Sequence, residues 1–368
     1  MRHHILPTIA VLSLVIATTS ACAQRSGQES RPAASRPARA EHRPQAPARP
    51  SLLVPGEERC LSNIRQVTFE GGRSGEGYFS PDMQMISFQS VRGDCPHYQI
   101  FIKRLDATLL RRISPGRGLT TCSYFHPDGK RILWASTHLD PTSYGPPPKD
   151  RAKRYVWEKH KGFDIFISDL EGKNVRRLTD TPGYDAEGGF SPDGKRIVFT
   201  SERDGDLEIY TMAADGSDVR RVTHAKGYDG GPFYSPDGKQ ICFRGFRDPK
   251  HPRQAQIYII DADGSNERQI TNIPATNWAP YWHPSGRFLV YCRNLPEDKA
   301  LHSRNFELFL ISPDGKKEVR ITYERGADVL AVFSPDGRKL MWTSTRRHGT
   351  SQLYIADFTP PEEFRQGP

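Results

Sequence analysis

The chain has 368 residues, of which 36% are apolar, 31 are glycine and 30 are proline. An apolar fraction this low excludes a polytopic membrane protein, and so many glycines and prolines exclude a helical bundle. The net charge is +9, and residues 1–56 contribute +5 of it through seven arginines and two glutamates. We expect no nucleic-acid partner, because about half of the basic excess lies in a segment without aromatic side chains for base stacking.

Residues 1–23 have the pattern of an export signal. A short polar start precedes an apolar run from Ile5 to Ala17, which is too short to span a bilayer comfortably. Cleavage after Ala23 fits the small-x-small rule, whereas the sequence Thr-Ser-Ala-Cys at 19–22 resembles a lipoprotein signal that would place a lipid on Cys22. Both interpretations predict an exported protein, either periplasmic, anchored to a membrane through Cys22, or secreted.

Residues 24–56 contain six prolines, many alanines and few apolar side chains. Such a segment has almost nothing to bury, so we expect a disordered tether. The predicted organisation is a signal peptide over 1–23, this tether over 24–56, a propeller domain over 57–360 and a short tail over 361–368.

One tetrapeptide, Ser-Pro-Asp-Gly or a close variant, recurs six times after an aromatic residue. The spacings between copies are 46, 65, 44, 48 and 51 residues, and the copies begin at Ser80, His126, Ser191, Ser235, His283 and Ser334. Each copy is followed by two short apolar runs, a second turn and a closing strand. Because Pro fixes φ at about −65° and Asp-Gly tolerates positive φ, the tetrapeptide predicts a tight turn between two strands.

Each repeat is therefore predicted to form a four-stranded antiparallel sheet. One such sheet cannot cover both of its faces, whereas six sheets stacked radially can, so the pattern predicts an all-β, six-bladed β-propeller. The last repeat stops after its third strand, and the segment 63–68 has the fourth-strand pattern without preceding partners. We expect this N-terminal strand to pair with the last blade and close the ring. A linear solenoid is the alternative architecture.

These repeats resemble the Pro-Asp-type, WD-like repeats of the TolB β-propeller, over residues 60–358. The resemblance implies a propeller that binds a protein partner rather than one that catalyses a reaction. TolB-type proteins carry an N-terminal α/β domain before the propeller, and we expect the Pro/Ala/Arg-rich tether in its place here. Similar propellers accompany prolyl-oligopeptidase-like peptidases, but the Gly-x-Ser-x-Gly motif of their hydrolase domain is absent from the sequence.

The loops predict which face of the propeller is functional. Turns after the first and third strands are short and uniform, and we call their side the turn face. Loops after the second strands and connections between blades vary in length, and we call their side the variable face. Because loops on a rigid scaffold commonly carry function, we expect the binding site there.

Polar residues in the connections to the first strands are predicted to surround the channel mouth. They would form an acidic ring for a basic peptide segment or a cation, and the candidates are Glu76, Asp185, Glu187, Asp229, Asn277, Trp278 and Asp328. The alternative is that these side chains hydrogen-bond the backbone of neighbouring blades.

The longest variable loop, from Thr137 to Gly162, carries a basic stretch with Tyr155 and Trp157. It is either a lid over the channel mouth or a solvated insertion packed on the neighbouring blade.

Histidines on the variable face are candidate ligands of a transition metal, since propeller lyases that resemble this fold bind a metal through loop histidines. The candidates are His138, His160, His224 and His302. No spacing such as His-Glu-x-x-His is present, so polar loop residues are the alternative interpretation. We predict no cofactor, and leave open a calcium or transition-metal ion.

Export permits disulfides, and we predict one between Cys95 and Cys122, both expected on the variable face. Cys242 and Cys292 lie in predicted second strands and are expected to be small core residues. Cys60 is then left unpaired or linked to a partner.

The leading functional hypothesis is an exported, non-catalytic, monomeric propeller that binds a protein or peptide partner in the cell envelope. A metal-dependent lyase or hydrolase acting on carbohydrate is one alternative, and an accessory subunit of a peptidase is another.

Overall fold

The computed structural model describes residues 51–69, 72–146, 160–295, 305–347 and 349–365. These residues form strands almost throughout, with short 3-10 turns at Glu57–Arg59 and Pro141–Ser143 and a short helix α1 (Glu362–Arg365). Among them, no helix has the length and apolar character needed to cross a membrane.

The strands fall into four-stranded antiparallel blades in chain order. The first three blades contain β2 (Arg73–Phe79), β3 (Met85–Val91), β4 (Gln99–Arg104) and β5 (Leu110–Arg112); β6 (Thr120–Phe125), β7 (Arg131–Ser136), β8 (Gly162–Asp169) and β9 (Arg176–Arg177); and β10 (Gly183–Phe190), β11 (Arg196–Ser201), β12 (Glu208–Ala213) and β13 (Arg220–Arg221). The next two contain β14 (Tyr228–Tyr234), β15 (Gln240–Phe246), β16 (Gln256–Asp261) and β17 (Arg268–Gln269); and β18 (Asn277–Trp282), β19 (Leu289–Asn294), β20 (Phe306–Ile311) and β21 (Glu318–Arg320).

The last blade is built from both ends of the folded chain. It contains β22 (Asp328–Phe333), β23 (Lys339–Ser344), β24 (Gln352–Phe358) and β1 (Leu61–Gln66), and β1 pairs antiparallel with β24. Four of the blades are separate sheets in the described part of the chain, and a parallel pairing of β8 with β10 joins the other two into one eight-stranded sheet.

The first strands of successive blades contact each other around a common axis, and β22 of the last blade contacts β2 of the first. The arrangement is therefore closed, which confirms the predicted propeller with antiparallel four-stranded blades and the ring closure by the N-terminal strand. A linear solenoid is excluded.

The core lies in layers between neighbouring blades. One such layer packs Ile100 and Ile102 of the first blade against Phe125, Ile132 and Trp134 of the second. Each blade therefore covers the face that its neighbour could not bury alone.

One hydrogen-bond pattern recurs in every blade and also joins the two halves of the last one. In the third blade, the Thr223 hydroxyl accepts from the Ile209 N–H at 2.9 Å and donates to Glu208 at the start of the third strand. In the last blade, the Thr68 hydroxyl accepts from Leu353 N–H at 2.9 Å and donates to Gln352 at 2.7 Å. The same hydroxyl-to-strand bond is made in the other blades by Ser114, Thr179, Thr271 and Thr322.

The repeated tetrapeptide forms the turns of the turn face, as predicted. In a typical copy, the Ser191 hydroxyl donates to the Asp193 carboxylate at 2.7 Å, and Gly194 has a φ of 70°. Where histidine replaces the serine, the imidazole reaches the next blade: His126 Nε2 lies 3.1 Å from the Gly194 carbonyl oxygen. The turns that begin with histidine therefore connect neighbouring blades.

Candidate functional site

Each first strand contains a β-bulge at the same position, and one residue of the bulge has a left-handed backbone. The φ values lie between 44° and 60° at the six positions, which are Glu76, Cys122, Glu187, Gly231, Ala279 and Leu330. This conformation costs a non-glycine residue on the order of 1–2 kcal/mol. Its repetition brings six residues from six distant sequence segments to the wall of one cavity on the propeller axis. We call it the central cavity.

The central cavity has a volume of about 30 Å³ and two unlike sides. Its polar side carries Glu76, Cys122 and Glu187, and its apolar side is formed by residues that include Trp278 and Leu330. The fourth blade contributes no side chain at its bulge position, Gly231.

Arg244, from the second strand of the fourth blade, takes the place that Gly231 leaves open. A Cβ atom at Gly231 would lie 2.0 Å from Arg244 Nη1, so the close approach requires glycine. Arg244 is not among the binding residues predicted from the sequence. The sequence signals that identify it are an arginine inside the mostly apolar run Ile241–Phe246 and the pair Gly230-Gly231.

Glu187 and Arg244 form a buried ion pair, with 2.7 Å between Arg244 Nη2 and Glu187 Oε1. Glu187 also accepts from the Tyr228 hydroxyl at 2.7 Å, the Gly231 N–H at 2.6 Å and the Thr200 hydroxyl at 2.9 Å. Burial raises the pKa of Glu187, but Arg244 and these hydrogen bonds outweigh burial and hold it below the usual range. Glu187 is therefore ionised, and the pair as a whole is neutral.

Glu76 occupies the equivalent position in the first blade without such support. Its carboxylate lies 3.3 Å from the Tyr78 hydroxyl and 3.5 Å from the Thr121 hydroxyl, and it accepts a hydrogen bond from the Cys122 thiol. Burial raises its pKa to about 7, and the Cys122 bond only partly offsets burial. The central cavity thus holds one carboxyl group beyond the neutral Glu187–Arg244 pair.

An aromatic layer closes the channel two residues beyond the bulges. Tyr78 and Tyr124 have ring centroids 5.1 Å apart, Phe233 and Tyr281 have centroids 4.9 Å apart, and the Tyr124 and Tyr281 hydroxyls lie 3.1 Å from each other. First strands run from the variable face to the turn face, so the central cavity lies on the variable-face side of these rings. On the turn-face side, a separate basin of about 330 Å³ is lined by the prolines of the repeated turns.

The remaining candidates of the acidic ring form hydrogen bonds or ion pairs within their own blades. Each is at most 1% exposed and is bonded to an arginine at or beyond the end of the second strand, in the pairs Asp185–Arg203 (3.3 Å), Asp229–Arg247 (2.6 Å), Asn277–Arg293 (2.8 Å) and Asp328–Arg346 (2.8 Å). Each arginine also stacks over two aromatic rings of the second and third strands. The predicted open ring is therefore corrected: arginines pair with Asp185, Asp229 and Asp328, and of the predicted residues Glu76, Glu187 and Trp278 line the cavity.

The three candidate metal ligands that the structure describes, His138, His160 and His224, have different surroundings. His138 packs against the Trp134 and Phe166 rings, and burial lowers its pKa to about 4. His160 lies 3.9 Å from Asp140, His224 is exposed, and His302 lies outside the described residues. In the part of the chain that the structure describes, no group of three or more His, Cys, Asp or Glu side chains is placed to hold a metal ion. Tyr155 and Trp157 of the predicted lid also lie outside the described residues.

The predicted disulfide between Cys95 and Cys122 is not formed, and both residues are buried free thiols. Cys122 sits at a bulge position and points to Glu76, whereas Cys95 accepts from the Gln99 amide at 3.4 Å. The prediction placed Cys122 on the variable face at the entry to the second blade, whereas Cys122 lies within β6 and its thiol is bonded to Glu76. Cys242 and Cys292 are fully buried core residues, as expected, and Cys60 is a buried free thiol.

Comparisons with known proteins agree with this architecture. The family model described as the Tricorn protease N-terminal beta propeller domain matches residues 160–302, and that described as the TolB beta propeller domain matches residues 254–363. The chain is 50% identical over 40 residues to the Tol-Pal system protein TolB of Bordetella pertussis, which is 11% of this chain and 9% of that protein. The chain thus matches only about a tenth of the length of this curated relative.

Solved structures extend the similarity over most of the propeller. Putative TolB from Agrobacterium tumefaciens is similar over 78% of this chain and 90% of its own, with a TM-score of 0.55 and 21% identity. Oligogalacturonate lyase from Vibrio parahaemolyticus is similar over 81% of this chain and 80% of its own, with a TM-score of 0.54 and 16% identity. At these identities the likeness to both structures shows the fold alone. The repeats, the closed ring of blades and the matching family models together show that this chain carries a TolB-like β-propeller.

Proposed function

We propose that the protein is an exported, non-catalytic propeller that binds a protein or peptide of the cell envelope at its variable face. The observation that carries the proposal is the central cavity with Glu76, Glu187 and Arg244. Buried charges lower the stability of a fold unless they are well paired. In the described part of the chain Glu76 is bonded to neutral groups only, so this carboxyl on the axis is better explained by binding than by folding.

Exposed apolar side chains on the variable face support a protein partner. Four large side chains there are between 39% and 64% exposed, namely Phe69, Leu139, Ile273 and Tyr323. Phe69, Ile273 and Tyr323 lie in connections between blades, and Leu139 lies in the loop after the second strand of the second blade. Protein interfaces combine such apolar contacts with a few buried polar ones.

Binding rather than catalysis is also favoured by the chemistry of the cavity wall. Burial raises the pKa of the Cys122 thiol well above its ordinary value, so the reactive thiolate is not formed there. Glu187 is held by Arg244 and Tyr228 and is not free to act as a general base.

The envelope location of the partner rests on the export pattern of residues 1–23 and on the relative from Bordetella pertussis, whose name places it in a Tol-Pal system.

Intact-mass analysis of the processed protein distinguishes the two expected termini. A lipid-sized mass increase that disappears in Cys22→Ser supports a membrane anchor, and a start at Gln24 supports a soluble exported form.

Site-specific photo-crosslinking in the native envelope tests the binding face. A photoreactive amino acid is placed at Phe69 or Ile273 on the variable face, and at Val175 or Val219 on the turn face as matched exposed apolar controls. We expect crosslinked adducts from the variable-face positions only. Adducts from the turn-face positions alone, or none from any position, would overturn the proposal.

A further inference from the structure

The charge of the central cavity indicates what its ligand carries. Arg244 already neutralises Glu187, and the hydrogen-bond partners of Glu76 are the neutral groups of Tyr78, Thr121 and Cys122. A buried carboxylate is stabilised most effectively by a hydrogen-bonded cation. Among the residues that the structure describes, none places a cation in a hydrogen bond with Glu76, so a cation carried by the ligand would match it.

The size of the cavity restricts that cation. A space of about 30 Å³ is roughly two to three times the ~10–15 Å³ that one ordered water needs. A compact ammonium head suits so small a space better than the wider planar guanidinium or an aromatic ring. Trp278, Ala279 and Leu330 line the opposite side and suit the methylene groups next to an ammonium head.

Arg244 places a second, independent requirement on the ligand, which is a hydrogen-bond acceptor. Its side chain is 6% exposed and lines the cavity, and within the described residues its Nε–H has no hydrogen-bond partner. A buried donor left without an acceptor costs about 1–3 kcal/mol. A polypeptide supplies a carbonyl oxygen close to an ammonium group, whereas a metal ion supplies no acceptor.

We propose that the central cavity is a receptor for one primary ammonium group of the partner polypeptide, either a lysine side chain or a free amino terminus. This inference rests on the proposed function and specifies the group by which the variable face recognises its partner. In the complex, the ammonium donates to Glu76 and a neighbouring carbonyl oxygen accepts from Arg244 Nε–H.

Ligand-observed NMR titrations of the full mature protein test the proposal with four acetylated or free tripeptide amides. We expect binding of Ac-Ala-Lys-Ala-NH₂ or of Ala-Ala-Ala-NH₂ with a free amino terminus, and which of the two binds identifies the source of the ammonium. We expect at least about tenfold weaker binding of Ac-Ala-Arg-Ala-NH₂ and Ac-Ala-Ala-Ala-NH₂. Binding of the arginine peptide as tight as that of the better ammonium peptide would overturn the proposal, because positive charge alone would explain it.

Substitutions locate the binding in the cavity. Glu76→Gln is expected to weaken binding at least about tenfold. Glu307→Gln is the matched control, since Glu307 is another buried carboxyl with a raised pKa and does not line the cavity. Ala279→Leu fills the cavity at a bulge position whose equivalent, Leu330, already holds leucine, and should abolish binding even if Glu76→Gln disturbs the fold.

The outcomes separate this inference from the proposed function. Crosslinks on the variable face without binding of any ammonium peptide would overturn the ammonium receptor and leave the binding face supported. Peptide binding that is unchanged in both Glu76→Gln and Ala279→Leu would overturn the receptor site as well.

Discussion

Glu76 and Glu187 occupy equivalent bulge positions in two blades, and burial acts on both, yet their pKa values move in opposite directions. The difference is Arg244, which bonds Glu187 directly and reaches Glu76 only through space. At the scale of the single residue, the partner of a buried carboxyl decides its charge more than the depth of burial does.

This difference predicts a pH-dependent effect of Glu76→Gln on stability. The groups facing Glu76 are Glu187, Arg244, Cys122 and Tyr78, and the pKa of Glu76 is raised from 4.5 to about 7. A carboxyl whose folded pKa is raised destabilises the fold as pH rises through that window, by on the order of 3 kcal/mol above it.

We therefore expect Glu76→Gln to raise the unfolding free energy at pH 8 but to have little effect near pH 4.5. Denaturant unfolding at the two pH values checks this. An equal change at both would show that Glu76 does not titrate between them.

Gly231→Ala is expected to destabilise the propeller by about 2 kcal/mol or more beyond its backbone strain, because the new Cβ would lie 2.0 Å from Arg244 Nη1. Gly129→Ala is the matched control, since Gly129 has a φ of 67° and no atom near its would-be Cβ. Denaturant unfolding of both variants separates the clash from the strain. Equal losses would mean that Arg244 moves aside without cost.

At the scale of the strand and the turn, the sequence predicts most of what is observed, because the tetrapeptide turns and the apolar runs act locally. The arginine braces had a readable signal too, since Asp185–Arg203, Asp229–Arg247 and Asp328–Arg346 are each 18 residues apart. The sequence carries almost no signal that predicts the central cavity. It depends on a bulge that turns one residue of each first strand inward, and on Arg244 crossing to meet Glu187 of another blade.

The same hydroxyl-to-strand hydrogen bond occurs in the third blade, which is one continuous segment, and in the last blade, which is built from both ends of the chain. We therefore expect its loss to destabilise both blades equally. Thr68→Val and Thr223→Val should each lower the unfolding free energy by about 1–3 kcal/mol, because each leaves a buried N–H without its acceptor. Thr108→Val, at an exposed turn, serves as the control and should change little. A neutral Thr68→Val would contradict the role of this bond in ring closure.

At the scale of the whole molecule, the pairing of β1 with β24 makes one end of the folded chain necessary for the other. A chain that begins at residue 72 lacks β1 and the Glu57–Arg346 ion pair, which is at most 1% exposed on either side. Since the net stability of a domain is only about 5–15 kcal/mol, we expect this truncated chain to lose its cooperative unfolding transition.

A synthetic peptide of residues 57–69 should restore that transition in a concentration-dependent manner, because it binds the folded form alone. Thermal scans with increasing peptide check the expectation, and a scrambled peptide is the control. A cooperative transition in the truncated chain without peptide would show that the ring closes without β1.

Arg346 also determines how the propeller responds to tension. Its guanidinium donates hydrogen bonds to the Leu52 carbonyl oxygen at 3.1 Å and to the Glu57 carboxylate at 2.9 Å. The neighbouring Arg347 donates to the Ser51 carbonyl oxygen at 2.9 Å. A chain pulled from its N-terminal side therefore loads these contacts first, in series ahead of the hydrogen bonds between β1 and β24. We expect a force that breaks this anchor to pass next to the pairing of β1 with β24, whose loss would open the propeller at its last blade.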